Sequence, residues 1–233
     1  MTPHTANTPP LSPAVAHAPA AVRRLLALAQ ELPLVAILRG LAPDEAQAVG
    51  AALYASGMRT LEVPLNRPGA LECIAHLARS LPDDALVGGG TVMSPQDVDA
   101  VHAAGGRLIV SPHCDVRVIE RALALDMLCA PGVVTPTEAF TALAAGAHAL
   151  KIFPADALGH AGLKGLKSVL PAGTEIWPVG GVGTEQVAGW RQAGATGLGI
   201  GGQLYTPGRS AQAVGALAAQ FIAAWNAAAA ATA

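Results

Sequence analysis

Residues 135–154 read TPTEAFTALAAGAHALKIFP. This stretch holds one whole structural period. Thr135 is followed by Pro136 and, three residues on, by Glu138. That is a helix start, in which the threonine caps an orphan amide and the glutamate returns a bond. Ala145-Gly146 stops the helix, because glycine takes the left-handed conformation that helix ends need. Ala149–Phe153 is then a short apolar run with strand character, closed by Pro154.

The same period recurs along the chain. Apolar runs lie at Leu34–Leu38, Thr60–Val63, Ala85–Gly88, Arg107–Val110, Leu128–Ala130, Ala149–Phe153, Glu175–Val179 and Gly197–Ile200. Helices are expected near 43–55, 68–80, 95–104, 115–125, 136–145, 160–169, 184–193 and 210–225. Pro43-Asp44-Glu45 and Ser94-Pro95-Gln96-Asp97 put proline and acids in a first turn, where the helix dipole favours them. Ser56-Gly57, Ala104-Gly105-Gly106 and Ala193-Gly194 are further stops. Eight strand–helix units of about 23–25 residues predict an α/β fold, a closed (β/α)8 TIM barrel. The alternative is an open doubly wound sheet. That fold usually has fewer units and a glycine-rich turn after its first strand, and none lies there.

Composition narrows the function. The 233 residues are 52% hydrophobic and 13% charged, so a large core is available. The aromatic share of 3% leaves that core to Ala, Val, Leu and Ile. The net charge of −2 and the lack of a basic run exclude nucleic acid as an expected partner. Cys73, Cys114 and Cys129 form no CxxC pair, which suits a reducing cytoplasm. Residues 1–20 are rich in Pro and Ala, lack the features of a signal peptide, and are expected to be a disordered extension. No membrane span is expected, because no uninterrupted apolar run of about 18 residues has suitable flanks. Residues 21–226 are read as a single barrel domain and 227–233 as a flexible Ala-rich tail.

In such a barrel the active site lies at the carboxyl ends of the strands. Arg39 stands there after the first run, Glu62 and Asn66 at the second, and Thr91 after the third. Ser111, Pro112 and His113 follow the fourth run, and Pro131 the fifth. Lys151 and Phe153 belong to the sixth, Gly180-Gly181 follow the seventh, and Gly201-Gly202 the eighth.

Lys151 carries the sharpest signal. An amine in the apolar run Ala149–Phe153 loses hydration, which lowers its pKa and frees it to attack a carbonyl. The alternative is a lysine that snorkels to water from a strand end. Glu62 lies alone in Leu61-Glu62-Val63-Pro64-Leu65 and can move the protons an imine mechanism needs. A structural ion pair is its other reading. Arg39 suits a carboxylate or phosphate, or else a salt bridge at the rim. Gly88-Gly89-Gly90-Thr91 lets backbone approach a ligand and offers one hydroxyl. The glycine pairs after the seventh and eighth runs suit a phosphate held by backbone N–H groups.

Other chemistries are weaker. Gly197-x-Gly199-x-x-Gly202 matches a dinucleotide fingerprint but comes too late in the chain for the βαβ unit that motif requires. The seven histidines form no metal-ligand cluster, and His113-Cys114 reads as an ordinary loop pair. No GxSxG is present.

These segments resemble the KDPG/KHG aldolases, class I enzymes acting on 2-keto-3-deoxy-6-phosphosugar acids. The resemblance spans about residues 32–226. It rests on Leu61-Glu62-Val63, Gly88-Gly89-Gly90-Thr91-Val92, Ser111-Pro112, Ala130-Pro131-Gly132, Lys151-Ile152-Phe153-Pro154-Ala155 and Gly180-Gly181-Val182. It implies that Lys151 forms a Schiff base and that Glu62 transfers protons. Arg39, Thr91, Asn66, Pro112, Phe153 and Val179 would bind the substrate, and Gly180, Gly181, Gly201 and Gly202 its phosphate. No metal or cofactor is implied, because the imine is the electron sink. Asn66 and Val179 stand where the gluconate-type enzymes carry Arg and Thr, and resemble the galactonate branch. The expected reaction cleaves a phosphorylated 2-dehydro-3-deoxygalactonate to pyruvate and D-glyceraldehyde 3-phosphate in galactonate catabolism. The gluconate epimer or 4-hydroxy-2-oxoglutarate is the alternative substrate, and a non-catalytic phosphate-binding barrel a remote one. Gly202-Gln203 departs from the Ser-Asp often found in that branch, which removes one hydroxyl from the phosphate grip. The family is typically homotrimeric, and the same assembly is expected.

Overall fold

A computed structural model describes residues 19–230. Most of the expected extension, and the last three residues of the expected tail, lie outside the described residues. All eight apolar runs form strands: β1 Leu34–Ile37, β2 Thr60–Pro64, β3 Leu86–Gly90, β4 Leu108–Val110, β5 Leu128–Ala130, β7 Ala149–Ile152, β8 Glu175–Pro178 and β9 Leu198–Ile200. A further short strand, β6 Gly132–Val133, lies between β5 and β7. The helices are α1 Ala20–Glu31, α2 Pro43–Ala55, α3 Ala70–Ser80, α4 Pro95–Ala103, α5 Val116–Ala124, α6 Pro136–Ala144, α7 Ala155–Lys167, α8 Val187–Ala193 and α9 Ala211–Ala230. The expected caps are present. Ser94 Oγ accepts from the Asp97 N–H at 3.2 Å, and Thr135 and Glu138 form a reciprocal capping box.

Every strand pair is parallel, but the strands fall into two sheets. One is curled and six-stranded, in the order β5-β4-β3-β2-β1-β9, and the other is β6-β7-β8. The expected single ring of eight strands is therefore interrupted twice, and both breaks fall at prolines. Pro131 ends β5 and has no N–H to continue the ladder. Pro178 ends β8, beyond which a single bridge joins Val179 to Gly199. Backbone bonds cross the first break, from His148 N to Cys129 O at 3.0 Å and from Lys151 N to Pro131 O at 2.9 Å.

The strands are buried on both faces, so they read as continuous apolar runs. One face, carrying Leu34, Ala36, Leu61 and Val63, packs under the helices. The other encloses Val35, Leu86, Leu108, Leu128, Ala149 and Trp177. Helix α1, absent from the sequence expectations, adds Leu26 and Ala29 to this inner cluster. Its signal was the spacing of Val22, Leu26 and Ala29, three buried residues on one helical face.

Two helices differ from expectation. Helix α7 is broken by a kink at Gly159 (φ 68°, ψ 172°): the part beyond the kink matches the helix expected from about 160, and the short turn from Ala155 before it was not foreseen. Helix α9 runs on to Ala230, so residues 227–230 of the expected tail are helical. By length and composition α9 could cross a membrane. Its residues Val214, Ala218, Phe221, Trp225 and Ala228 are instead buried at helical spacing, and it packs against α2 and α8.

Candidate active site

Strand periodicity turns every second residue inward. On β7 this places Lys151 in the interior two residues beyond Ala149, paired with Gly132 on β6 and Trp177 on β8. On β2 it places Glu62 inward two residues beyond Thr60. Both polar groups are buried, Glu62 at 1% exposure and Lys151 at 5%. They border one small cavity, otherwise lined by Val35, Ile37, Val110, Trp177, Val179 and Gly199. Among the described residues neither makes an ion pair, and Glu62 Oε2 is buried without a hydrogen-bond partner. The snorkelling lysine and the structural ion pair are thus both absent from the geometry.

Burial sets the electrostatics. It pushes the Glu62 carboxyl up to about 7, against the pull of Lys151 and Arg39, whose positive charges favour the carboxylate. It also lowers the Lys151 ammonium. Glu62 opposes that shift and Arg39 adds to it. The result is a carboxyl that titrates near neutrality beside an amine that gives up its proton more readily than usual. The Lys151 Nζ lies 4.7 Å from the centroid of the half-buried Phe153 ring.

The glycines of β3 also serve packing. A Cβ at Gly90 would collide with the Glu62 carboxylate, and one at Gly88 with the backbone of Leu108. Gly89 faces the other way, toward Val101 of α4. The triplet therefore makes room for Glu62 and for the next strand. Thr91 follows directly with φ 54°, an uncommon conformation for a β-branched residue. Strain of this kind is concentrated at functional sites.

The remaining expected residues stand at the carboxyl ends of the strands, outside the cavity. Arg39 and Asn66 are exposed, and Pro112 is half-buried. A Cβ on Gly132 would strike the Pro112–His113 peptide, which brings that peptide close to the partner of Lys151. Gly180 and Gly181 have φ of 115° and 64°, a run of left-handed backbone that can turn successive N–H groups toward an anion. Gly201 and Gly202 open a turn in which the Gly201 carbonyl accepts from Leu204 N at 2.8 Å and Tyr205 N at 3.0 Å. Among the described residues no group of three or more His, Cys, Asp or Glu is placed to hold a metal ion.

Residues 26–215 match the family model for KDPG and KHG aldolase. The chain belongs to this aldolase family. It is a carbon–carbon lyase. It is 46% identical over 196 residues to 2-dehydro-3-deoxy-6-phosphogalactonate aldolase of Escherichia coli K12, a match covering 84% of this chain and 96% of that one. It is 43% identical over 197 residues to a probable enzyme of the same description from Rhizobium meliloti 1021, covering 84% and 93%. A solved structure described as native KDPGal superimposes with a TM-score of 0.84 at 45% identity, covering 85% of this chain and 97% of that one.

Sequence reasoning missed Val35, Ile37, Val110, Trp177 and Gly199 as walls of the cavity. Each lies on the inner face of its strand, and period-two counting from Lys151 and Glu62 across the register finds them.

Proposed function

We propose that this aldolase cleaves 2-dehydro-3-deoxy-6-phospho-D-galactonate to pyruvate and D-glyceraldehyde 3-phosphate through a Schiff base on Lys151. The observation that carries this reading is the buried pair of Glu62 and Lys151 on a shared cavity, with Glu62 Oε2 left without a hydrogen-bond partner. The neutral amine attacks the C2 ketone to give a carbinolamine, which loses water to become an iminium ion. Glu62, as carboxylate, takes the proton of the C4 hydroxyl. The C3–C4 bond breaks, its electron pair moves into the iminium, and the aldehyde leaves. Glu62 returns the proton to C3 of the enamine, and water then releases pyruvate and restores the amine. One carboxyl titrating at about 7 suits both directions of transfer near neutral pH.

In this reading Arg39 and Thr91 hold the substrate carboxylate end. Asn66, Pro112, Phe153 and Val179 shape the walls, and Gly180, Gly181, Gly201 and Gly202 take the phosphate. The galactonate epimer is favoured by the activities of the two similar enzymes and by Asn66 and Val179. We also propose that the strands close as one eight-stranded barrel in a single domain, and that the enzyme is a cytoplasmic homotrimer. The two proline breaks support closure, since each is spanned by a bond or a bridge.

Incubation with pyruvate and borohydride should add a pyruvyl mass to the peptide holding Lys151. Lys151→Ala should abolish both the adduct and the cleavage. An adduct on Lys164 or Lys167 would overturn the assignment.

A further inference from the structure

The phosphate site proposed above is built almost wholly of backbone. Gly180, Gly181, Gly201 and Gly202 bring no side chains, and a carboxylate stands beside one half of it. A Cβ at Gly180 would lie 3.5 Å from Asp156 Oδ1, and one at Gly181 3.3 Å from Asp156 Cβ. A dianion held there gains from any cation fixed to the other half. That half is the turn after β9, and its glycine end is poorly packed. A Cβ at Gly202 would meet nothing within 4 Å.

One side chain grips this turn. Arg209 Nη1 donates to the carbonyl of Gln203 at 3.1 Å and to that of Gly202 at 3.4 Å. In a trans peptide the N–H points opposite to the C=O. Fixing the Gly202 carbonyl on Arg209 therefore aims the Gln203 N–H away from the guanidinium, out of the turn's opposite face. Among the described residues the N–H groups of Gly202 and Gln203 have no backbone acceptor, whereas those of Leu204 and Tyr205 are used inside the turn. The far end is anchored separately, by the buried Tyr205, whose hydroxyl meets Glu45 Oε2 at 3.1 Å.

We infer that Arg209 is a positioning residue for the substrate phosphate: it fixes the Gly202–Gln203 peptide so that the free Gln203 N–H faces the anion, beside the Gly202 N–H, whose own peptide is held by the bonds to the Gly201 carbonyl. Its charge also polarises those peptides and offsets Asp156. This inference rests on the phosphate reading of the preceding subsection.

The test compares the wild-type enzyme with Arg209→Met and Arg209→Lys. Arg209→Met should raise KM for the phosphorylated substrate by about 5- to 20-fold, as expected for a partly exposed charge-assisted bond, with kcat within about twofold. The inhibition constant of inorganic phosphate should rise by a similar factor. Arg209→Lys should recover part of both losses, since an ammonium reaches one carbonyl. Unchanged phosphate inhibition in Arg209→Met overturns the inference. So does an equal loss on the unphosphorylated analogue, which would mean that the turn had collapsed. Failure of the underlying reading is separate, and would show as a wild-type enzyme indifferent to the substrate's phosphate.

Discussion

On β7, Ala149 and Lys151 face the same interior, two residues apart, and on β2 Thr60 and Glu62 do the same. On β3, Leu86 is followed on that face by Gly88 and Gly90. A step of roughly 6.6 Å along each strand thus separates two kinds of interior. Toward the amino ends, Leu86, Leu108, Leu128 and Ala149 pack with Leu26 and Ala29 of α1 into an apolar cluster. Toward the carboxyl ends, the interior presents on β2 a carboxyl with one unpartnered oxygen and on β7 a buried amine, and a glycine of β3 leaves the carboxyl room. The amino half is filled and contributes stability. The carboxyl half holds groups whose burial costs stability and shifts their proton affinity toward the chemistry. Along each strand the contrast lies in side chains two residues apart.

The largest effect should come from neutralising the carboxyl half. Glu62→Gln removes the proton acceptor and should cut turnover by about 10²–10⁴-fold. The wild-type rate should rise with pH through about 7, as the carboxylate forms, and the variant should lose that limb. Stability should move the other way. Because the folded pKa lies above the unfolded value, Glu62 favours folding fully only below about 4.5. That contribution is lost as pH rises through 7. Above pH 7 the variant should therefore be the more stable protein, by an amount on the order of 3 kcal/mol. Denaturant midpoints at pH 8 measure it, and a less stable variant would contradict the proposed division of the interior.

The complementary change falls in the amino half. Leu108→Ala opens a cavity in a fully buried cluster and should cost about 2–5 kcal/mol of stability. Folded enzyme should still trap pyruvate on Lys151 at close to the wild-type rate. Loss of trapping at low temperature, where the variant remains folded, would show that the two halves are not separable.

Much of this was legible in the sequence because it depends on local signals. Glycine stops and proline-acid starts mark helix boundaries, and the eight apolar runs fall between them. Lys151 and Glu62 stood out because a charge in an apolar run conflicts with its neighbours. What escaped depends on register or on distant partners. The Gly88–Gly90 run was visible, but the face each glycine presents is set by pairing with β2 and β4. Pro131 and Pro178 could have been read as gaps in the ladder, since each lacks an N–H, yet whether a gap splits a sheet depends on the strand beside it. Arg209 acts on a turn whose shape no spacing rule gives. His148 looked like part of a strand, and its imidazole turns out to accept the Cys129 N–H at 3.1 Å across the first break.

That imidazole gives a smaller, pH-dependent effect outside the site. Burial holds His148 down at about 4, so it is neutral in the folded enzyme. Its folded pKa lies below the unfolded value of about 6.5. The stability it contributes is therefore full above 6.5 and lost as pH falls toward 4, by up to roughly 3 kcal/mol. Glu62 acts with the opposite sign over much of this window, so the measurement belongs in a Glu62→Gln background. Denaturant midpoints there should fall from pH 7 to 4.5. Adding His148→Gln, which keeps an acceptor but does not titrate, should flatten the slope. An unchanged slope would remove His148 from the account of the break between β5 and β6.

The smallest effect concerns which epimer the carboxyl half accepts. Val179 borders the cavity with Glu62 and Lys151, and its Cγ2 would lie 2.6 Å from a Cβ at Gly199. Val179 thus occupies the space that a side chain at position 199 would need. Val179→Thr keeps the volume and exchanges a methyl for a hydroxyl, so it tests chemistry rather than packing. A hydroxyl that finds a partner on one C4 epimer but not the other changes their relative transition-state binding by about 1–3 kcal/mol. The ratio of kcat/KM for the gluconate over the galactonate epimer should rise by about 5- to 150-fold. The wild type should prefer the galactonate epimer. Asn66 is exposed at the end of β2 and does not line the cavity, so Val179→Thr alone should carry most of the shift. If the ratio moves only when Asn66→Arg is added, C4 is read at the mouth of the site, and the cavity wall serves the imine alone.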